Sequence, residues 1–340
     1  MLKVLGALAT VVIAVGLLVV SVPHLFGLQT TWIIAQITSM RSLGIVAAVL
    51  ACVAFALLAL ARPLRAFAGT VVVLLLLFVV GNAAISVQRG LGNTEFAEPT
   101  PGTITVLSWN TLGDAPGADA VVKLAVDSGA DVISLPETTQ ETGIEIAESM
   151  RAEGRPMWVL TEWFDKISPA RSTTVLISPD LGDYVKVTSN EQRDDNTAVL
   201  PTVIVEPVDG DGPTIVAAHA VAPISGQMEN WRNDLAWLAD QCQDDNVIMA
   251  GDFNATVDNM AGLGSADGAT LGNCFDAGRA SGNGAVGTWP TSIPALIGAP
   301  IDHVMATPDW TTTGMRVVTE TDGTGSDHRP VIVQLSRTEP

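Results

Sequence analysis

The first 94 residues of this chain contain no aspartate or glutamate; all 36 acidic residues fall from Glu95 onward. Basic residues are nearly absent there too, being limited to Lys3, Arg41, Arg62, Arg65 and Arg89. A stretch this poor in charge does not supply the surface of a water-soluble domain. Those five leave 12 of the 17 Lys+Arg against 36 acids, so the later part carries a formal charge of −24. It offers no cluster of lysine and arginine as a track for a nucleic-acid backbone, a mild argument against DNA as the substrate. Histidine is scarce as well, with four in the chain. Of the three cysteines, Cys52 lies in an apolar run and reads as a small apolar residue, whereas Cys242 and Cys274 could either pair or remain buried thiols.

What the early part does contain is three uncharged apolar runs, Val4–Val22, Gly44–Ala61 and Ala66–Ser86. About 18 such residues suffice to cross a bilayer, so each is predicted to be a transmembrane helix. A cleaved signal is the other reading of the first run, but no small-x-small site follows and two further runs come next. Lys3 and the turn Arg62-Pro63-Leu64-Arg65 would be cytoplasmic, with Arg41 and Arg89 opposing that bias. An odd number of spans then puts everything after Arg89 outside the cytoplasmic membrane. The expected organisation is a membrane domain over 1–90, a Pro- and Gly-bearing tether over 91–103, and a catalytic domain over 104–340.

Within that domain, six segments each bring metal-type or acid–base residues to the end of a predicted strand. They are Leu107–Asn110, Ile133–Glu137, Ala217–His219, Met249–Asn254, Ile301–His303 and Ser326–His328. Asn110, Glu137, Asp252, Asn254, Asp302 and Asp327 offer the hard oxygens that Mg²⁺ or Mn²⁺ prefers. His219 and His328 are groups able to move protons or stabilise phosphoryl charge near neutral pH. Asn110, Glu137, His219 and the Asp252/Asn254 pair close their strands, while Asp302 and Asp327-His328 open theirs. Antiparallel neighbours bring such starts and ends to one sheet edge. Asp252 and Asn254, two apart, point to one side, and Gly251 permits a close backbone approach. Repulsion among the four carboxylates calls for a cation. His303 should face away from Asp302, and Arg329 reads as structural or rim. Predicted strands include Ala198–Glu206 and Arg316–Thr319, and Met228–Gln241 reads as an amphipathic helix.

In this order "LSWNT", "DVISLPE", "AAH", "MAGDFNAT", "PIDHV" and "GSDHRPV" resemble the endonuclease/exonuclease/phosphatase superfamily over about residues 104–337. The resemblance implies an α/β fold, a four-layer α/β/β/α sandwich, preceded here by three transmembrane helices. It implies metal binding by Glu137 and Asn110, with Asp327 as a further metal-site carboxylate, and catalytic roles for His219, Asp252, Asn254, Asp302 and His328. Asp252 and Asn254 would orient water and phosphate, with Asn254 and His219 contacting the substrate. His328 would serve as base or phosphate stabiliser, supported by Asp302, and Mg²⁺ or Mn²⁺ would be the cofactor. Two positions depart from the pattern. Arg171–Ser178 offers only Ser and Thr where secreted nucleases place a carboxylate, and Pro136 stands where Gln usually precedes the metal-binding Glu. The three-span architecture is similar to a bacterial membrane branch that includes proteins linked to teicoplanin resistance. The expected activity is therefore phosphoester hydrolysis at the cell envelope, on a membrane lipid or lipid-linked phosphate. An extracellular nuclease and a non-catalytic membrane sensor are the alternatives. The apolar loop Trp289–Pro300 is either a seat for a lipid tail or a packed connector.

Overall fold

A computed structural model describes residues 2–188 and 195–338. Three of its helices are long and apolar enough to cross a membrane: α1 (Leu2–Ser21), α3 (Arg41–Leu58) and α4 (Arg65–Arg89). At 1.5 Å per residue the first is about 30 Å long, matching a hydrocarbon core. The helices meet through Ala48, Val71, Leu75 and Phe78, with Leu17, Cys52 and Phe55 packed around them. Their remaining apolar side chains, Val12, Leu57 and Leu77 among them, face outward. A shorter helix, α2 (Trp32–Ser39), bridges α1 and α3.

The rest of the chain supplies β1 (Ile104–Ser108), α5 (Gly117–Ser128), β2 (Val132–Pro136), α6 (Gln140–Ala152), β3 (Trp158–Trp163), β4 (Ser172–Ile177), β5 (Tyr184–Lys186) and β6 (Val203–Pro207). It continues with β7 (Thr214–His219), α7 (Met228–Asp240), β8 (Val247–Asp252), β9 (Phe275–Asp276), α8 (Ala277–Ser281), β10 (Asp302–Ala306), β11 (Trp310–Val317) and β12 (Val331–Arg337). Two six-stranded sheets result, ordered β11-β12-β1-β2-β4-β3 and β5-β6-β7-β8-β10-β9. Alternation along the strands builds three apolar layers. Val106, Val132, Ile215, Ala217, Ile248 and Val304 fill the space between the sheets. Their sequence neighbours Leu107 and Ile133 pack outward under α5 and α6, and Val216 and Met249 pack outward against Trp231, Leu235 and Leu238 of α7. The α/β/β/α sandwich is thus written in the parity of each strand.

Some elements differ from the sequence reading. Of the expected Ala198–Glu206 strand, 203–206 falls in β6, because Asn196 Oδ1 accepts the Thr197 and Thr202 amides and folds the preceding residues into a turn. The strand expected from Arg316 begins at Trp310, with a register shift between Thr312 and Gly314. Cys242 and Cys274 form a disulfide with Cα atoms 5.9 Å apart, resolving the open pairing.

The sandwich is fastened to the domain-side ends of the long apolar helices. Asp258 is buried between two arginines: Arg89 binds both its oxygens, at 2.6 and 2.7 Å, and Arg41 binds Oδ2 at 2.9 Å. Arg41 also donates to Asn82 of α4. Burial would raise the Asp258 pKa, but hydrogen bonds and charge from Arg89, with Arg41 behind it, hold it below the ordinary value. Around this pair, Asn259 donates to the Gln29 carbonyl (3.0 Å), Gln29 to Ala261 (3.0 Å), and Gln36 of α2 to Pro223 (2.7 Å). The turn Ala295–Ile297 packs against α3.

Candidate active site

Strand pairing sets the centre of the site. β7 and β8 are parallel, with His219 opposite Asp252, and β8 and β10 are antiparallel, with Asp252 opposite Asp302. His219, Asp252 and Asp302 therefore form one row across the second sheet. The first sheet contributes from the ends of its parallel pair β1 and β2, where Asn110 and Glu137 follow the last strand residues. Gly251 is required here, since a Cβ would collide with the Ala218 carbonyl. Glu137 and Asn254 hold φ of 59° and 47°. A left-handed glutamate costs on the order of 1 kcal/mol and persists only where surroundings fix it. Here Thr111 Oγ1 and Asp114 N both donate to the Glu137 carbonyl.

Asn110 links the two sheets. Its Nδ2 donates to Glu137 Oε1 at 3.2 Å and to Asp252 Oδ2 at 3.0 Å. Asp252 also accepts from the Asn254 backbone amide (2.8 Å) and side-chain amide (3.2 Å), and Asn254 donates onward to Ala220 O. His328 Nδ1 lies 2.8 Å from Asp302 Oδ2, leaving Nε2 3.8 Å from Asp252 and 3.9 Å from Asp327. His219 Nε2 is 3.9 Å from Glu137 Oε1. All eight sequence-predicted site residues are thus connected around one centre. His303 is turned away, held by Asp276 (2.6 Å) and Ala255 O (2.9 Å). Arg329 is a buried structural clamp whose guanidinium donates to the carbonyls of Gly287, Pro290, Thr291 and Ile293. The Trp289–Pro300 loop is by this clamp a packed connector on its inner side, with Leu296 half exposed.

Burial and mutual charge divide the roles. Burial pushes the carboxyl pKa of Asp252 well up, and Asp302 adds to this, while cationic His328 and the Asn254 and Asn110 amides act against it. Glu137 is raised for the same first reason, with the Asn110 amide opposing. For His328 burial favours the neutral form, yet Asp302 and Asp252 outweigh it and hold its pKa near about 10, so the ring is cationic at neutral pH. His219 goes the other way, to about 3, through burial and then repulsion from His328. Their surroundings push the two histidines in opposite directions, His328 toward the cation and His219 toward the neutral ring.

Several supporting groups carried no sequence signal. Thr173 Oγ1 sits 3.4 Å from His219 Nδ1, within the Arg171–Ser178 segment that offers only Ser and Thr where the resemblance led to the expectation of a carboxylate. Trp289 Nε1 donates to Asp327 Oδ2 at 2.9 Å, and Thr288 Oγ1 accepts the Asp302 amide at 3.1 Å. Trp109 Nε1 binds the His328 carbonyl. Each acts through a fold-dependent contact between distant segments.

The donor set fits a hard divalent cation. Asp302 Oδ1, Asp327 Oδ1 and His219 Nε2 are buried without partners, and several carboxylates share one desolvated space. Ligand atoms of Asp252, Asp302 and His328 approach within 4.8 Å of one another, a grouping different from the expected set Glu137, Asn110 and Asp327.

Two packed sheets flanked by helices, with carboxylates and histidines gathered at one edge, set the class of fold. The chain belongs to the Endonuclease/Exonuclease/phosphatase family, whose pattern it matches over residues 107–328. Members of that family hydrolyse phosphoester bonds and generally depend on a divalent metal. Among solved structures, it is similar to the endonuclease/exonuclease/phosphatase from Beutenbergia cavernae, at 18% identity and TM-score 0.51, over 69% of this chain and 72% of that one. The corresponding protein from Bacteroides vulgatus has 16% identity and TM-score 0.50, over 69% and 99%. A humanized form of D. rerio TDP2 has 15% identity and TM-score 0.50, over the same shares. These likenesses concern the fold. A search of curated proteins finds no match.

Proposed function

We propose that the chain is a membrane-anchored, divalent-metal-dependent phosphoesterase. Its site lies outside the cytoplasmic membrane and acts on a phosphorylated lipid or lipid-linked envelope intermediate. The supporting observation is that the loops leaving the site strands are the loops fastened to the membrane helices. Pro223 lies four residues after His219, and Asp258 four after Asn254. Four residues span at most about 14 Å, so the centre sits near the helix ends. The turn Ala295–Ile297, shortly before Asp302, rests on α3. A substrate held in the bilayer meets such a site at high effective concentration. The side assignment rests on Lys3, Arg62 and Arg65 and on the odd number of spans.

Glu137 and Asn110 would hold Mg²⁺ or Mn²⁺, with Asp327 nearby, and the bound ion supplies charge neutralisation at phosphoryl oxygens. Asp252, its pKa raised by burial, accepts a proton from water as the water oxygen bonds to phosphorus and the leaving oxygen departs. Neutral His219 orients the phosphate by donation from Nε2, and Asn254, whose amide hydrogens are engaged by Asp252 and Ala220, holds Asp252 in place. His328, kept cationic by Asp302, stabilises the charge that grows on phosphorus-bound oxygen.

Purified full chain with Mg²⁺ or Mn²⁺ should release phosphate from a long-chain polyprenyl phosphate or pyrophosphate. Ser in place of Ile293, Leu296 and Ile297 should impair that reaction and spare a short soluble phosphoester. Faster cleavage of DNA than of any lipid phosphate would instead establish the nuclease reading.

A further inference from the structure

A groove runs between α1 and α4 on the flank of the membrane helices. It encloses about 290 Å³ between apolar walls that include Leu17, Leu18, Leu74 and Leu77. Gly81 lies on its wall, and a Cβ there would meet nothing within 4 Å. At the domain-side end, Ser21, Val22 and Ile85 line both this groove and a second cavity of about 350 Å³. The second cavity has a mixed lining, with Val22, Ile85 and Met260 beside its polar groups. His24 and Gln88 come from the membrane part, Arg89 from the end of α4, and Arg279 from α8, under a roof formed by Val257–Gly262.

Its charge is opposite to that of the domain around it. Asp258 is the one carboxylate lining it among the described residues, and Arg41 and Arg89 already engage both its oxygens. Arg279 is exposed and makes no ion pair among the described residues. Two arginines, Arg89 and Arg279, line the cavity against that one aspartate, a positive excess beside a part of the chain that carries 36 acids against 12 basic residues. An apolar trough opening at the membrane surface into a cationic, donor-rich cavity has the shape and polarity of one ligand class.

We propose that this composite cavity binds an anionic glycerophospholipid, acyl chain between α1 and α4 and phosphate head against Arg279, His24 and Gln88. It is separate from the metal-type centre and does not depend on the hydrolase reading. The ligand would bridge the membrane helices and the Val257–Gly262 segment, which begins three residues after Asn254. Charge complementarity selects the head, and continuity with the apolar helix faces selects a lipid over a free anion.

The test is native mass spectrometry of the full chain in detergent, titrated with phosphatidylglycerol or phosphatidylcholine of identical acyl chains. The expected result is one tightly held phosphatidylglycerol per chain, at least about tenfold tighter than phosphatidylcholine. Arg279→Glu should abolish that preference, and Gly81→Trp should lower retention of the lipid by filling the trough. Both sites are open, so both variants should melt like the parent, and circular dichroism verifies this. Equal retention of the two lipids by the parent would overturn the proposal. So would an unchanged preference in Arg279→Glu, or inorganic phosphate displacing the lipid at equal concentration.

Discussion

Replacing Asp258 by alanine probes how the two parts of the chain are held together. The carboxylate is buried and bound to Arg89 through both oxygens and to Arg41 through one. Removing it leaves the Arg41 guanidinium, 8% exposed, with Asn82 as its remaining side-chain partner. Breaking a buried pair from one side typically costs about 3–5 kcal/mol, because the stranded charge is not rehydrated. The neighbouring bonds from Gln29, Gln36 and Asn259 remain, so the sandwich should stay folded while its docking weakens. At 1.4 kcal/mol per factor of ten, a 3 kcal/mol loss raises the undocked population about a hundredfold. Hydrogen exchange reads this directly: amides in 29–40 and 256–262 should exchange faster by about that factor, while those in β1 and β8 keep their protection. Hydrolysis of a membrane-embedded phosphate should fall, with a soluble phosphoester affected no more than a few-fold. Unchanged exchange in both segments would refute the buried ion cluster as the fastening, and equal loss in the strands would mean that Asp258 supports the fold itself.

The same carboxylate carries a pH signature. Its folded pKa lies below the unfolded value, so its stabilisation is complete above about pH 4 and is lost as pH falls through the folded value. Accelerated exchange in 256–262 should therefore begin only below about pH 4, and an onset near neutrality would contradict the pairing. Reduction of Cys242–Cys274, which closes a separation of 32 residues, should cost about 4 kcal/mol and lower the melting temperature; an unchanged melt would refute it. Thr173→Asp would place a carboxylate beside His219 Nδ1 and raise the pKa of that ring from about 3, visible in the histidine NMR titration as protonation at higher pH. His303→Ala leaves Asp276 Oδ2 buried without its histidine partner, so it should lower stability while sparing turnover per folded molecule; a rate loss comparable to that of His328→Ala would place it in the chemistry.

The sandwich was legible through the resemblance of its motifs to the superfamily, and parity along β1, β7 and β8 accounts for which face is inside. The site was readable because its members close or open strands, so the pairing of Asp252 with His219 and Asp302 follows once the strands are placed. What escaped was set by contact between distant segments. Thr173 acquires meaning only beside His219, and Trp289 only beside Asp327. β3 lies at a sheet edge, and α2 has only eight residues between longer apolar runs, too short for a firm period. Arg41 and Arg89 ran against the charge bias expected of the loops. Their partner is Asp258, more than 160 residues beyond Arg89 in "ATVDNM", where nothing local marks it.

Phosphate release by the purified full chain, with and without Mg²⁺ or Mn²⁺, from a long-chain lipid phosphate tests the central claim most directly, with Glu137→Ala and His328→Ala in parallel. The account predicts metal-dependent turnover by the parent and a loss of about 10² to 10⁴ in rate in each variant, with the fold intact by circular dichroism. Metal-dependent turnover by Glu137→Ala within a few-fold of the parent would contradict the site assignment. A folded parent inert on lipid phosphates, soluble phosphoesters and DNA alike would contradict catalysis itself.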